Sequence, residues 1–168
     1  MQKITPFLWF DGVAGEAAEF YVSIFKNARI THTDYYPEGA PMPAGTVITV
    51  RFEIEEMEFV ALNAGPEFHF TPAISFFVDC HSQQEVDELW SKLSAGGAEG
   101  QCGWLTDKYG ISWQIVPSIL GEYLGDKDPV KAQRVMQAML QMHKLDIQAL
   151  RDAYVQGDHA PASKNTQS

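Results

Sequence analysis

The sequence predicts an α+β fold in which one strand–helix–strands unit is used twice, and three observations carry that expectation. Trp9-Phe10-Asp11 closes an apolar run that leads into a helical face of Ala18, Tyr21 and Phe25. Sixty-eight positions on, Phe77-Val78-Asp79 closes a second apolar run, and Val86, Leu89 and Leu93 repeat that face. Thr5-Pro6 and Thr71-Pro72 introduce the two runs, two residues out of that register. Each copy continues into further strand-like segments, so two βαβββ modules share one domain.

In chain order, residues 4–10 are short, aromatic-rich and bounded by Asp11-Gly12, the signature of a buried strand. Residues 13–25 place Ala14, Ala17, Ala18, Tyr21, Ile24 and Phe25 on one amphipathic stripe. Residues 28–36 form a more polar strand. Residues 37–45 hold three prolines and two glycines, so they form a loop that neither helix nor ladder can absorb. Residues 46–54 alternate, with Ile48, Val50, Phe52 and Ile54 on one face and Thr49, Arg51 and Glu53 on the other. A tight turn at 55–57 leads into a partner strand at 58–64. The second module repeats the order: a strand at 73–79, a helix at 83–95, short strands within 98–106, a turn at 107–110 and a last strand at 111–116.

The remainder departs from the repeat. Asp128-Pro129 is a strong helix start, with Asp able to cap and Pro preset for the first turn. Val135, Met136, Met139, Leu140 and His143 follow at helical spacing. A second start at Asp146 leads into Ile147, Leu150 and Tyr154, and Gly157 stops that helix. The expected organisation is a paired-module domain at 1–125 (modules about 1–66 and 67–125), a helical extension at 126–157 and a disordered tail at 158–168.

Composition narrows the function classes. A hydrophobic content of 45% and an aromatic content of 12% belong to a globular chain. A net charge of −10 argues against nucleic acid and against an anionic membrane surface. No apolar stretch approaches the roughly 20 residues of a membrane helix, and the N-terminus lacks an export signal. A cytoplasmic location is therefore expected, with Cys80 and Cys102 as free thiols.

The local text resembles a known family. Ile4-Thr5-Pro6-Phe7 followed by Ala18-Glu19-Phe20-Tyr21 looks like the opening strand and helix of the vicinal oxygen chelate superfamily, which includes glyoxalase I, extradiol dioxygenases and fosfomycin- and bleomycin-resistance proteins. More narrowly, Pro6-Phe7-Leu8-Trp9-Phe10-Asp11-Gly12, Cys102-Gly103-Trp104-Leu105-Thr106-Asp107-Lys108-Tyr109-Gly110 and Ser112-Trp113-Gln114-Ile115-Val116-Pro117 resemble the PhnB-like family. The likeness runs over about residues 3–157, including the Lys144-Leu145-Asp146-Ile147 helix start. It implies that each module curls into a concave mixed sheet with its helix on the convex side. Members often carry the label demethylubiquinone methyltransferase, to which the residues lend no support: Gly12-Val13-Ala14-Gly15 and Gly96-Gly97 do not make a cofactor-binding glycine loop.

The resemblance also implies where a metal would sit. Aligning the Phe20-Tyr21 pair, Asp79 and Gly110 places Pro6, Ala73 and Gln114 at the superfamily's ligand positions. Pro and Ala offer no donor, and a neutral amide is a poor ligand for a first-row metal. No metal and no cofactor are expected. His32, His69, His81, His143 and His159 show no ligand spacing that would rebuild a site.

That register turns Leu8, Ser75, Phe77, Ser112 and Gln114 into the cavity by alternation. It sends Phe7, Trp9, Ile74, Phe76, Trp113 and Ile115 against the helices. Arg51 and Glu53 would bring a cation and a carboxylate to the cavity and are the candidate catalytic pair; the alternative is an ion pair that satisfies itself. Cys80, beside His81, is the candidate thiol nucleophile against simple packing. The expected function is binding of a small, partly apolar molecule, with an enzyme acting through Glu53 and Arg51, or through a metal bound at other residues, as the rival. The C-terminal stripe Val135, Met139, Leu140, Ile147, Leu150 and Tyr154 either covers its own chain or forms the interface of a homodimer, the expected assembly.

Overall fold

The computed structural model describes residues 2–156. Two compact units divide them. The first runs to Ile74 and takes back Tyr109–Ile111; the second holds Ser75–Lys108 and the described chain from Ser112 on.

The first unit contains β1 (Phe7–Phe10), α1 (Ala14–Ile24), β2 (Ala28–Tyr35), β3 (Val47–Ile54) and β4 (Met57–Asn63). Its sheet has the order β1-β4-β3-β2, with β1 parallel to β4 and the other neighbours antiparallel. The alternation of residues 46–54 is realised as β3, whose Val50, Phe52 and Ile54 are buried. They pack against the Ala14, Ala17, Ala18, Tyr21 and Ile24 stripe of α1, and the Tyr21 ring stacks on Phe52 with centroids 6.0 Å apart. The start of α1 has no capping side chain of its own; Asn63 on β4 accepts the Ala14 N–H at 2.9 Å instead. Tyr109 closes this core, edge-on to Phe10, Phe20 and Tyr21, and its hydroxyl donates to Glu16 Oε1 at 2.8 Å.

The second unit contains β5 (Ser75–Cys80), α2 (Gln83–Ser94), β6 (Ala98–Glu99), β7 (Trp104–Thr106), β8 (Ser112–Pro117), α3 (Ser118–Leu124), α4 (Pro129–Leu140) and α5 (Ile147–Val155). Its sheet order is β5-β8-β7-β6, again with the first strand parallel to the last. The helix α2 begins at Ser82, whose hydroxyl accepts the Glu85 N–H, while Glu85 accepts the His81 N–H. This reciprocal arrangement resembles a capping box. Val86, Leu89, Trp90 and Leu93 bury the other side of that helix. Each unit is thus a four-stranded mixed sheet with a helix on one face: the doubled βαβββ α+β fold read from the sequence.

The expected C-terminal helices begin where Asp128 and Asp146 can cap them, accepting from Val130 N–H and Ala149 N–H. The helix α3 was not anticipated, because β8 runs straight into it at Pro117 with no loop or polar cap to mark a start. The apolar stripe of α4 and α5 packs in cis. Val135 and Leu150 are fully buried with Val116, Leu120 and Leu145, and Met139 and Tyr154 pack against that cluster. Of the stripe residues proposed for a subunit interface, Leu140 stays 53% exposed. Val135, Met139, Leu150 and Tyr154 therefore cover their own unit. The Gly157 stop and the tail at 158–168 lie outside the described residues.

Candidate functional site

Residues paired directly across neighbouring strands share a face, so register assigns every strand side chain to a face. In the first unit Leu8 pairs with Ala61 and Ala61 with Val50, which puts Leu8 beneath α1 at 7% exposure. This corrects the expectation that Leu8 lines a cavity. Phe7 and Trp9, expected against the helix, take the helix-free face: Phe7 is 57% exposed, and the Trp9 indole donates to the Gly65 carbonyl at 2.9 Å. The error lay in phasing the strand on Pro6, which precedes β1. The 68-residue repeat pairs Trp9 with Phe77, and the folded strands follow that phase. Ile74, also expected against a helix, precedes β5 and is exposed.

Arg51 and Glu53 do share the helix-free face of β3, but they do not pair. Arg51 Nη1 donates to Glu58 Oε1 at 2.9 Å, and Arg29 Nε donates to Glu53 Oε2 at 3.1 Å. Cross-strand register decides this: Glu53 faces Arg29 on β2 and Glu58 on β4, while Arg51 faces His32 and Val60. Both pairs are solvent-reached, where such contacts contribute roughly 0–1 kcal/mol. Glu53 also borders an open groove of about 560 Å³ lined by Lys26, Asn27, Ala28, Arg29 and Glu56.

The same face holds a pair that the sequence did not reveal. His32 Nε2 lies 2.9 Å from Asp34 Oδ1, and the Thr49 hydroxyl donates to Asp34 Oδ2 at 2.7 Å. The Thr49 bond, then the His32 bond, holds the Asp34 carboxyl below the usual carboxylate range. Only a break in strand alternation brings His32 to this face, so periodicity had no means of finding it.

In the second unit Ser75, Phe77, Ser112 and Gln114 fall on the face away from α2. Ser75 pairs with Ser112 and Phe77 with Gln114, while Phe76, Trp113, Ile115 and Leu105 take the helix side. Gln114 Nε2 donates to Ser75 Oγ at 2.9 Å. Phe77 is 59% exposed beside that pair, whereas Ser112 is buried. A further buried polar contact escaped the sequence reading: the Trp113 indole donates to Asp107 Oδ2 at 2.9 Å.

Cys80 is fully buried and Cys102 partly so, and both are free thiols. Burial, with the nearby charges of Glu85 and Asp79, pushes the Cys80 thiol up to about 12. A thiol so rarely ionised at neutral pH is a packing group, not a nucleophile. His143 sits in the α4–α5 connection, not on a helical stripe, with Nδ1 2.8 Å from the Gly100 carbonyl. Among the described residues no group of three or more His, Cys, Asp or Glu is placed to hold a metal ion. Also among them, no helix is long and apolar enough to cross a membrane.

The doubled unit and its residues have known relatives. The model of the family described as 3-demethylubiquinone-9 3-methyltransferase matches residues 2–116. The PhnB protein of Bacillus cereus is 39% identical over 69% of this chain and 99% of its own, with a TM-score of 0.64. Protein PA1353 of Pseudomonas aeruginosa shares the fold at 20% identity, over 70% of this chain and 98% of its own, with a TM-score of 0.59. No curated protein matches the chain. The family match ends inside β8, so α3, α4 and α5 lie beyond it, although the resemblance read from the sequence extended to about residue 157. The chain belongs to the family described as 3-demethylubiquinone-9 3-methyltransferase, that of the PhnB protein it resembles.

Proposed function

We propose that this PhnB-like protein binds a small, partly apolar molecule on the helix-free face of its second sheet, without the superfamily's metal. The observation that carries this is Phe77, an aromatic side chain left 59% exposed beside the Gln114–Ser75 hydrogen bond. That bond uses one of the two N–H groups of Gln114 and leaves its amide oxygen, along with the Ser75 hydroxyl proton, to meet a ligand. An apolar ring flanked by a few convergent polar groups is the usual make-up of a small-molecule site.

The donor set does not fit the metal. Gln114 offers only a neutral amide oxygen, Ala73 has no donor, and the first-strand position is Pro6 or, in the phase the sheet adopts, Phe7. The two mixed sheets do not offer the methyl donor implied by the family description a doubly wound site either. Each sheet has one parallel pair, and Asn63 takes the first N–H of α1, where a cofactor phosphate or carboxylate would dock in such folds. The net charge of −10 favours a small molecule over nucleic acid. The free thiols suit a reducing cytoplasm.

A thermal-shift screen of metabolites and divalent ions tests the reading, since a ligand at a hundred times its Kd stabilises by about 2.7 kcal/mol. Metabolite hits are expected to vanish in Phe77→Ser and Gln114→Leu while the unliganded melting point holds. Hits indifferent to both substitutions, or about one tightly held Zn, Ni, Fe or Mn per chain after dialysis, would overturn it.

A homodimer is proposed with it, on the exposed Met136 and Leu140 of α4, one turn apart. Light scattering across a micromolar dilution series is expected to give twice the chain mass. A stable single-chain mass would end the proposal.

A further inference from the structure

The first sheet carries a second constellation that binding at Phe77 does not use. On β2, Ile30 pairs with Phe52 on the α1 side, and the next pair is His32 with Arg51; Thr31 is the extra residue of a bulge. Without that bulge, alternation would aim His32 at α1. A second register shift follows directly after Asp34. Bulges re-aim side chains and concentrate beside active sites, and here two of them bracket His32–Asp34.

The pair they present is ordered for proton transfer. Asp34 has both oxygens committed, to His32 Nε2 at 2.9 Å and to the Thr49 hydroxyl at 2.7 Å. A carboxylate only accepts, so the shared proton belongs to Nε2, and the lone pair of Nδ1 has no partner among the described residues. Arg51, directly across the ladder, spends one N–H on Glu58 Oε1 and keeps its other donors. Its charge also acts on Asp34, which places the three groups in one neighbourhood. Glu53, the one carboxylate of β3, is tied to Arg29.

We propose that His32 and Arg51 form a proton-transfer site for a short 2-oxo acid, with Asp34 and Thr49 as positioning residues. The Cβ atoms of residues directly opposite in a ladder stand about 5 Å apart, so a three-carbon acid is within reach of both side chains. The ligand carboxylate binds the free Arg51 donors, and the carbon next to the ketone lies at His32 Nδ1. There the C–H bond breaks and an N–H bond forms. The electron pair moves into the carbonyl to give an enolate, whose negative oxygen the Arg51 cation stabilises. Return of the proton from the imidazolium to carbon restores the acid, and no oxidant or reductant is consumed. This site lies wholly in the first unit and stands or falls independently of the binding face proposed above.

Pyruvate in deuterium oxide, followed by loss of its methyl proton signal in the presence of the full chain, tests the proposal. The wild type is expected to exchange the methyl protons well above the buffer rate, and His32→Gln to lower that excess at least tenfold. Arg51→Gln is expected to raise the half-saturating pyruvate concentration more than it lowers the maximal rate. Asp34→Asn is expected to slow exchange and to move the His32 nitrogen resonances toward the Nδ1-protonated tautomer, a signature that a purely structural role would not change. These side chains are exposed enough for the variants to fold, which far-ultraviolet circular dichroism verifies. Wild-type exchange no faster than buffer, or His32→Gln as fast as wild type, overturns the proposal.

Discussion

Gly97→Ala is expected to destabilise the protein by about 3 kcal/mol or more, at the top of the usual cost of overpacking. A Cβ built at Gly97 would lie 2.1 Å from the Thr106 carbonyl oxygen and 2.7 Å from the Asp107 carbonyl carbon. Both are backbone atoms at the end of β7, so neither can swing away as a side chain would. Relief requires β6 to part from β7, and β7 carries Trp104 and Thr106 into register with Gln114 and Ser112. Gly15→Ala is the matched control: nothing lies within 4 Å of its Cβ, and it sits inside α1. There alanine is expected to stabilise by about 0.5–1 kcal/mol, through helix propensity and a less flexible unfolded chain. Urea denaturation of the two variants should move the midpoint in opposite directions. A Gly97→Ala midpoint equal to wild type would show that β6 yields freely and that the sheet edge is not held as described.

Leu145→Ala is expected to cost about 2–5 kcal/mol, the range for emptying a fully buried leucine site. Leu145 is 0% exposed and sits in the cluster of Val116, Leu120, Val135 and Leu150. Its side chain also rests on Gly103, where a Cβ would meet Leu145 Cδ1 at 3.0 Å and the Ile115 carbonyl at 2.9 Å. Around it the connection between α4 and α5 is pinned by backbone and side-chain bonds. Cys102 and Gly103 donate to the Met142 and His143 carbonyls at 2.8 Å, and Gln83 brackets the segment by donating to Leu145 O and accepting from Ile147 N–H. Lys144 pairs with Asp87 at 2.8 Å. Truncation should therefore loosen α4 and α5 before either sheet. Hydrogen exchange should rise in residues 129–155 while the β3 amides stay protected. Uniform protection, or an unchanged denaturation midpoint, would refute this account of how the extension is held.

The regular elements were legible because their signals are local. Apolar residues at period two in 46–54 and at helical spacing in 14–25 name β3 and α1 without reference to anything else. Asp128-Pro129 and Asp146 mark α4 and α5 because a capping oxygen satisfies N–H groups only two or three residues away. The helix α3 was missed for the converse reason: its start is a strand end, with no cap to read. Pairing of ionised groups was not legible. Arg51 and Glu53 stand two apart on one strand and look like partners, yet each neutralises a residue on a neighbouring strand.

By itself the sequence determined the doubled βαβββ plan and the apolar stripes, which are written in spacing along the chain, and the family, through the resemblance of its local residues. Tertiary structure alone decided which way those patterns face. Alternation makes Leu8 and Trp9 opposite but says nothing of which meets a helix; pairing to Ala61 and Val50 settles that. A bulge at Thr31 turned His32 to stand beside Arg51, and the cluster around Leu145 closed the C-terminal stripe on its own unit. The physical reason is the same in each case. Periodicity sets the relative phase of side chains within an element, whereas register and burial depend on residues far away in sequence, which only the folded chain brings into contact.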